Sequence, residues 1–124
     1  MLYLYVAAGG AFGALCRYLF TNAMVSALGR EFPYGTMLVN IAGSLMMGFL
    51  IGVVMTMMPK GKEFHALMVV GALGGFTTFS AFSYEAYMLL ERGAWLAAGG
   101  YILGSVALGI LAFIGGMWVF KLVT

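Results

Sequence analysis

Charge is what this sequence has least of. Six Lys and Arg and four Asp and Glu make 8% of its 124 residues, where a soluble domain carries roughly 25%. Water is thereby excluded as the main solvent, and with 64% hydrophobic residues the bilayer is what remains. The net charge of +2 is scattered along the chain, too small and too dispersed for a nucleic-acid partner. Cys16 is the only cysteine, which rules out an intrachain disulfide framework or a Cys-based zinc site; it reads as a small buried hydrophobe. No nucleophile–base set and no metal-ligand cluster is present, so nothing points to an enzyme. A basic region ahead of the first apolar stretch is missing too. That stretch runs on past Phe12 toward Phe20, so it is expected to be a retained membrane helix and not a signal peptide.

What is there is apolar sequence in four blocks. A span needs ~20 mostly apolar residues, and four stretches qualify, at about residues 3–24, 35–58, 65–91 and 94–121. The only two prolines, Pro33 and Pro59, fall in the charged gaps between blocks, beside Arg30-Glu31 and Lys60-Gly61-Lys62-Glu63. Glu91-Arg92-Gly93 makes the last, tight turn. The expected fold is a single all-α membrane domain over residues 1–124 with four transmembrane helices. Such a unit is too small to enclose a pathway without a partner. Lys60, Lys62 and Lys121 fall on one side and Arg30 and Arg92 on the other, almost no bias under the positive-inside rule. That balance permits insertion both ways round, and hence an antiparallel homodimer.

Small residues recur every fourth position within the blocks: Gly9 and Gly13 leading to Arg17, then Thr36, Asn40, Ser44, Gly48 and Gly52. The fourth block has Ala97, Tyr101, Ser105 and Gly109. This period keeps them near one helix face, where small side chains let backbones approach and polar ones bond across. An amide at mid-span such as Asn40 is costly unless it meets a partner, a cavity or a substrate.

The third block carries the chemistry. Gly74-Gly75 followed by Thr77-Thr78 weakens a continuous helix, through backbone freedom and then β-branching. A break at mid-membrane frees carbonyls and amides that protein, ion or water must satisfy, and transporters and channels put ion sites at such breaks. A freed carbonyl cluster suits a hard cation such as sodium. Beyond it, Phe79 and Phe82 stand at i, i+3 with Ser80 and Ser83 one position on. Phenyl rings have a positive edge, so rings beside hydroxyl donors could pass a small anion without a fixed cation to trap it. Weak, repeated sites are what conduction requires. Two charges lie within spans. Arg17 is expected either to attract anions at a vestibule or to snorkel to the headgroups. Glu85 is expected to pair with Arg17 or with backbone donors as a structural anchor.

Gly-Gly-Phe-Thr-Thr-Phe-Ser-Ala-Phe-Ser at residues 74–83 with Glu85 behind it, Gly35-Thr36 through Asn40, Gly13 to Arg17, and Gly104-Ser105 together resemble the Fluc/CrcB fluoride channels. The resemblance covers essentially the whole chain. One departure is Ala81, where family members often carry Thr. The resemblance implies an antiparallel, dual-topology homodimer in the inner membrane, with two pores at the subunit interface that pass fluoride passively down its electrochemical gradient. It implies a fluoride pathway at Phe79, Phe82 and Asn40, with Ser80, Thr78, Tyr101 and Ser105 near it. It also implies a central, non-transported sodium ion held by backbone carbonyls of Gly74 and Thr77 from both subunits. A competing reading is a small dual-topology, proton-coupled multidrug exporter. Such exporters use an acid in the first helix, where this chain has Arg17 and no acid.

Overall fold

A computed structural model describes all residues, Met1–Thr124, as helices and short turns with no strand. Helix α1 (Leu2–Leu28) runs 27 residues and ends at Gly29, whose φ of 82° only glycine adopts easily. The Gly29 N–H bonds back to the carbonyl of Val25 at 2.8 Å. Helix α2 (Tyr34–Met57) starts directly after Pro33. The third span, Lys62–Glu91, comes in two pieces. The first, α3 (residues 62–76), contains a nine-residue π-helical run at His65–Leu73 before its last turn at Gly74–Phe76. The second is α4 (Phe79–Glu91). Gly93, at φ 77°, turns the chain into α5 (Trp95–Val123).

All four spans are long and apolar enough to cross a membrane. At ~1.5 Å per residue even the 24 residues of α2 reach about 36 Å, beyond the ~30 Å hydrocarbon core. The expected boundaries hold within a few residues, and the first helix runs on to Leu28 because no breaker precedes Gly29. Large apolar side chains such as Tyr3, Leu96 and Trp118 are exposed along the outside; lipid is the solvent that accommodates them.

The helices pair as α1 with α3 and α2 with α5, and glycines set how closely. A Cβ at Gly9 or Gly13 would run into the carbonyl oxygens of Leu67 and Ala72 on α3. A Cβ at Gly48 would strike the carbonyl of Phe113, and one at Gly116 that of Leu45. These four positions put backbone against backbone, as small residues do where lipid leaves no hydrophobic force between helices. A smaller core of Phe82, Ala86, Leu89, Ala98 and Tyr101 joins α4 to α5.

Alanine at Gly48 or Gly116 should therefore lower unfolding stability by about 1–3 kcal/mol, the scale of an overpacked core. Gly100→Ala, where a Cβ meets nothing within 4 Å, should be neutral or stabilising by up to about 1 kcal/mol from helix propensity. Thermal unfolding in detergent separates the two signs.

Candidate functional site

The interruption falls on Thr77 and Thr78, both extended, at ψ 157° and 121°. The glycine pair ahead of it stays helical. Gly75 is needed for contact, since a Cβ there would lie 2.6 Å from the carbonyl of Gly10. The stop comes from competing partners. Asn40 on α2 takes Thr78 from both sides: its Oδ1 accepts from the Thr78 N–H at 2.8 Å, and its Nδ2 donates to the Thr78 carbonyl at 3.0 Å. The Thr78 hydroxyl accepts from the Ala81 N–H at 3.2 Å and so caps α4.

On the other side of the break, the Thr77 N–H and hydroxyl both donate to the carbonyl of Leu73, each at 3.0 Å. Arg17 Nε donates to the carbonyl of Gly75 at 3.1 Å. The guanidinium thus serves the last turn of α3, where helix carbonyls lack partners and cations are favoured. The carbonyls of Gly74 and Thr77 accept no hydrogen bond from the chain.

Glu85 differs from expectation. Neither Arg17 nor a backbone donor holds it. Its two carboxylate oxygens accept from Thr36 Oγ1 and from Tyr101 Oη, each at 2.8 Å. The physical reason is placement: Arg17 is committed to Gly75, while Thr36 and Tyr101 come from the two helices that flank α4. Tyr101 is fully buried, and its ring packs on Phe82 at 5.1 Å and edge-on to Phe32 at 5.5 Å. Sequence reasoning had Thr36 only as a small member of the α2 stripe. Its position one helical turn before Asn40 was the available signal.

Beside the break lies a cavity of about 440 Å³ between α2, α4 and α5. Of the pathway residues expected from the sequence, Asn40, Thr78, Phe79, Phe82 and Ser105 meet at its wall. Ser80 and Tyr101 do not line it; the Ser80 hydroxyl lies 3.3 Å from that of Thr78, on an exposed face. The two phenyl rings sit 5.6 Å apart, Phe82 9% exposed and Phe79 77% exposed. Ser105 Oγ is buried with no hydrogen-bond partner. No charged side chain lines the cavity.

Comparison with known proteins finds relatives over nearly the whole chain. A family model described as "CrcB-like protein, Camphor Resistance (CrcB)" matches residues 4–117. A protein named fluoride-specific ion channel FluC from Chelativorans sp. (strain BNC1) is 49% identical over 113 residues, 91% of this chain and 90% of the relative. One of the same name from Rhizobium meliloti (strain 1021) is 44% identical over 92% of this chain and 91% of the relative. Another from Rhodopseudomonas palustris (strain BisB5) is 40% identical over the full length of both.

The Asn40–Thr78 pair should be the most costly side-chain contact to remove at the break. Asn40→Leu leaves two Thr78 backbone groups without partners, at about 1–3 kcal/mol each, so thermal unfolding of the purified variant should show a loss of at least about 2 kcal/mol.

Proposed function

This chain belongs to the CrcB family, and from that premise we propose that it exports cytoplasmic fluoride as a passive, highly selective channel. The observation that carries the reading is the single cavity that gathers Asn40, Thr78, Phe79, Phe82 and Ser105 with no charge among them. Relatives named fluoride-specific ion channels, 40–49% identical over nearly the whole chain, support the anion. The protein is a multi-pass membrane protein and no enzyme. In this reading two antiparallel copies meet in the inner membrane, with the interruption of the third span at mid-depth. Each of two pores at their interface uses Phe79 and Phe82 ring edges with the Asn40 amide and the Thr78 and Ser105 hydroxyls. Ser80, on the exposed face of α4, would meet the path only once the second copy is in place. Tyr101 contributes by positioning, since it holds Glu85 and backs the Phe82 ring.

A sodium ion fits the break on chemical grounds. The carbonyls of Gly74 and Thr77 have no donor within the chain, and Gly74 is open enough that a Cβ would touch only the Val69 carbonyl, at 3.8 Å. One chain supplies two such oxygens and two chains four, a hard-oxygen set suited to a hard cation. The ion's part is structural: it neutralises carbonyl dipoles that would otherwise lie unpaired in hydrocarbon. Arg17, by capping Gly75 next to this set, fixes the turn that carries it.

The biological driving force is acid trapping. Hydrogen fluoride crosses lipid uncharged and dissociates in a neutral cytoplasm, and the anion cannot return through hydrocarbon. A passive leak driven by the membrane potential lowers its internal level without ATP. The exporter alternative has no acid in α1 to exchange protons.

Liposomes carrying the purified protein should lose a fluoride gradient, read with a fluoride electrode, while chloride passes far more slowly. Equal rates for the two anions would reject the selectivity. Phe79→Ile and Phe82→Ile should each slow fluoride flux about fivefold or more, the scale of ~1 kcal/mol of lost ring contact, with the dimer still assembled on size exclusion. Unchanged flux in both variants would remove the rings from the path.

A further inference from the structure

Ser44 lines the same cavity from α2, one helical turn beyond Asn40. We propose that its hydroxyl is a further donor to fluoride in transit, facing Gly109 of α5 across the cavity; this rests on the channel reading above. The argument starts from which donors are already occupied. Thr77 gives its hydroxyl hydrogen to the Leu73 carbonyl. The Thr78 hydroxyl accepts from Ala81 and shares a contact with Ser80. Asn40 has one amide hydrogen on the Thr78 carbonyl. Some helical hydroxyls donate to a carbonyl four residues back, as Thr21 and Ser83 do, while the exposed Ser26 and Thr56 do not and have lipid or headgroups before them. Ser44 and Ser105 make no such bond although both line the cavity.

A serine that leaves its own helix carbonyl alone beside an apolar cavity keeps a hydrogen free for an incoming acceptor. Asn40 and Ser44, four residues apart, project on one face of α2, so an anion leaving the spare amide hydrogen of Asn40 meets Ser44 next. The opposite wall keeps this hydroxyl accessible. A Cβ built at Gly109 of α5 would stand 3.8 Å from Ser44 Oγ, so any larger side chain there would grow into the space in front of it. Gly109 is thus the clearance and Ser44 the donor. A fluoride between α2 and α5 would meet the Ser44 hydroxyl on its α2 side.

The test is fluoride efflux from liposomes by wild type and three Ser44 variants, each first checked as a monodisperse dimer by size exclusion. Ser44→Ala should slow efflux about three- to tenfold, the scale of one neutral hydrogen bond lost. Ser44→Cys, close in shape and a poor donor, should slow it similarly and serves where the alanine variant fails to assemble. Ser44→Thr, which keeps the hydroxyl, should restore efflux to within about twofold of wild type, a rescue that a purely packing role would not give. Wild-type efflux matched by both Ala and Cys variants overturns the role of Ser44 and leaves the channel reading standing. Equal slowing by Thr, Ala and Cys also overturns it, in favour of packing. Wild-type liposomes that retain their fluoride would overturn the channel reading, and Ser44's role with it.

Discussion

An interrupted helix in a chain this apolar depends on where the freed backbone groups go. Lipid offers no hydrogen bonds, and each unsatisfied group costs several kcal/mol. Here one side chain closes the largest part of the account. Asn40 reproduces for Thr78 the donor and acceptor that helix continuation would have supplied. Arg17 takes the carbonyl of Gly75, and the Thr78 hydroxyl takes the N–H of Ala81. Remove the Asn40 amide and both Thr78 backbone groups lose their partners at the break. The amide therefore holds the break, and both rings line the cavity beside it.

That arrangement requires the helices to stand close and stay put. The glycine contacts between α1 and α3, and between α2 and α5, bring backbones together at a distance that only the absence of a Cβ allows. Gly75 serves two ends at once. Its missing side chain admits the backbone of Gly10, and its carbonyl then comes within reach of Arg17, two turns further along α1. Packing and polar satisfaction are coupled, because the contact that makes the pair of helices tight also delivers the cation to the helix end.

Much of this was readable from the residues alone. Four spans follow from hydropathy and charged gaps, since nothing else can hide so much apolar surface. The weak point in the third span follows from Gly-Gly and Thr-Thr in sequence. What could not be read was which pair would yield: the glycines remain helical because α1 uses their lack of a side chain, and the threonines yield because Asn40 competes for Thr78. The π-helical run at His65–Leu73 has no mark in the local sequence, being ordinary apolar residues. Glu85 was misjudged for a related reason. Its partners lie 49 positions back and 16 positions ahead, and only the crossing of α2 and α5 beside α4 brings the two hydroxyls to it. Complementary charge suggested Arg17, but an arginine can satisfy itself on carbonyls, and this one does.

Under the proposed function, the disposal of both intramembrane charges bears on transport. A guanidinium about 4 Å from an anion at an effective dielectric near 20 would hold it by about 4 kcal/mol, lengthening its stay roughly a thousandfold. A neutral hydroxyl holds by about 1 kcal/mol, a factor nearer ten. Arg17 is turned to the Gly75 carbonyl and Glu85 is wrapped by Thr36 and Tyr101, so neither charge is among the groups that line the cavity. On the proposed path an anion there would meet amide hydrogens, hydroxyls and ring edges, each shallow and several in series. Such a wall lets a strongly hydrated ion exchange water for protein in small steps. A deep well would capture it instead. In the channel reading the two charges would serve conduction by being spent elsewhere, on the helix end and on the helix crossing beside the wall.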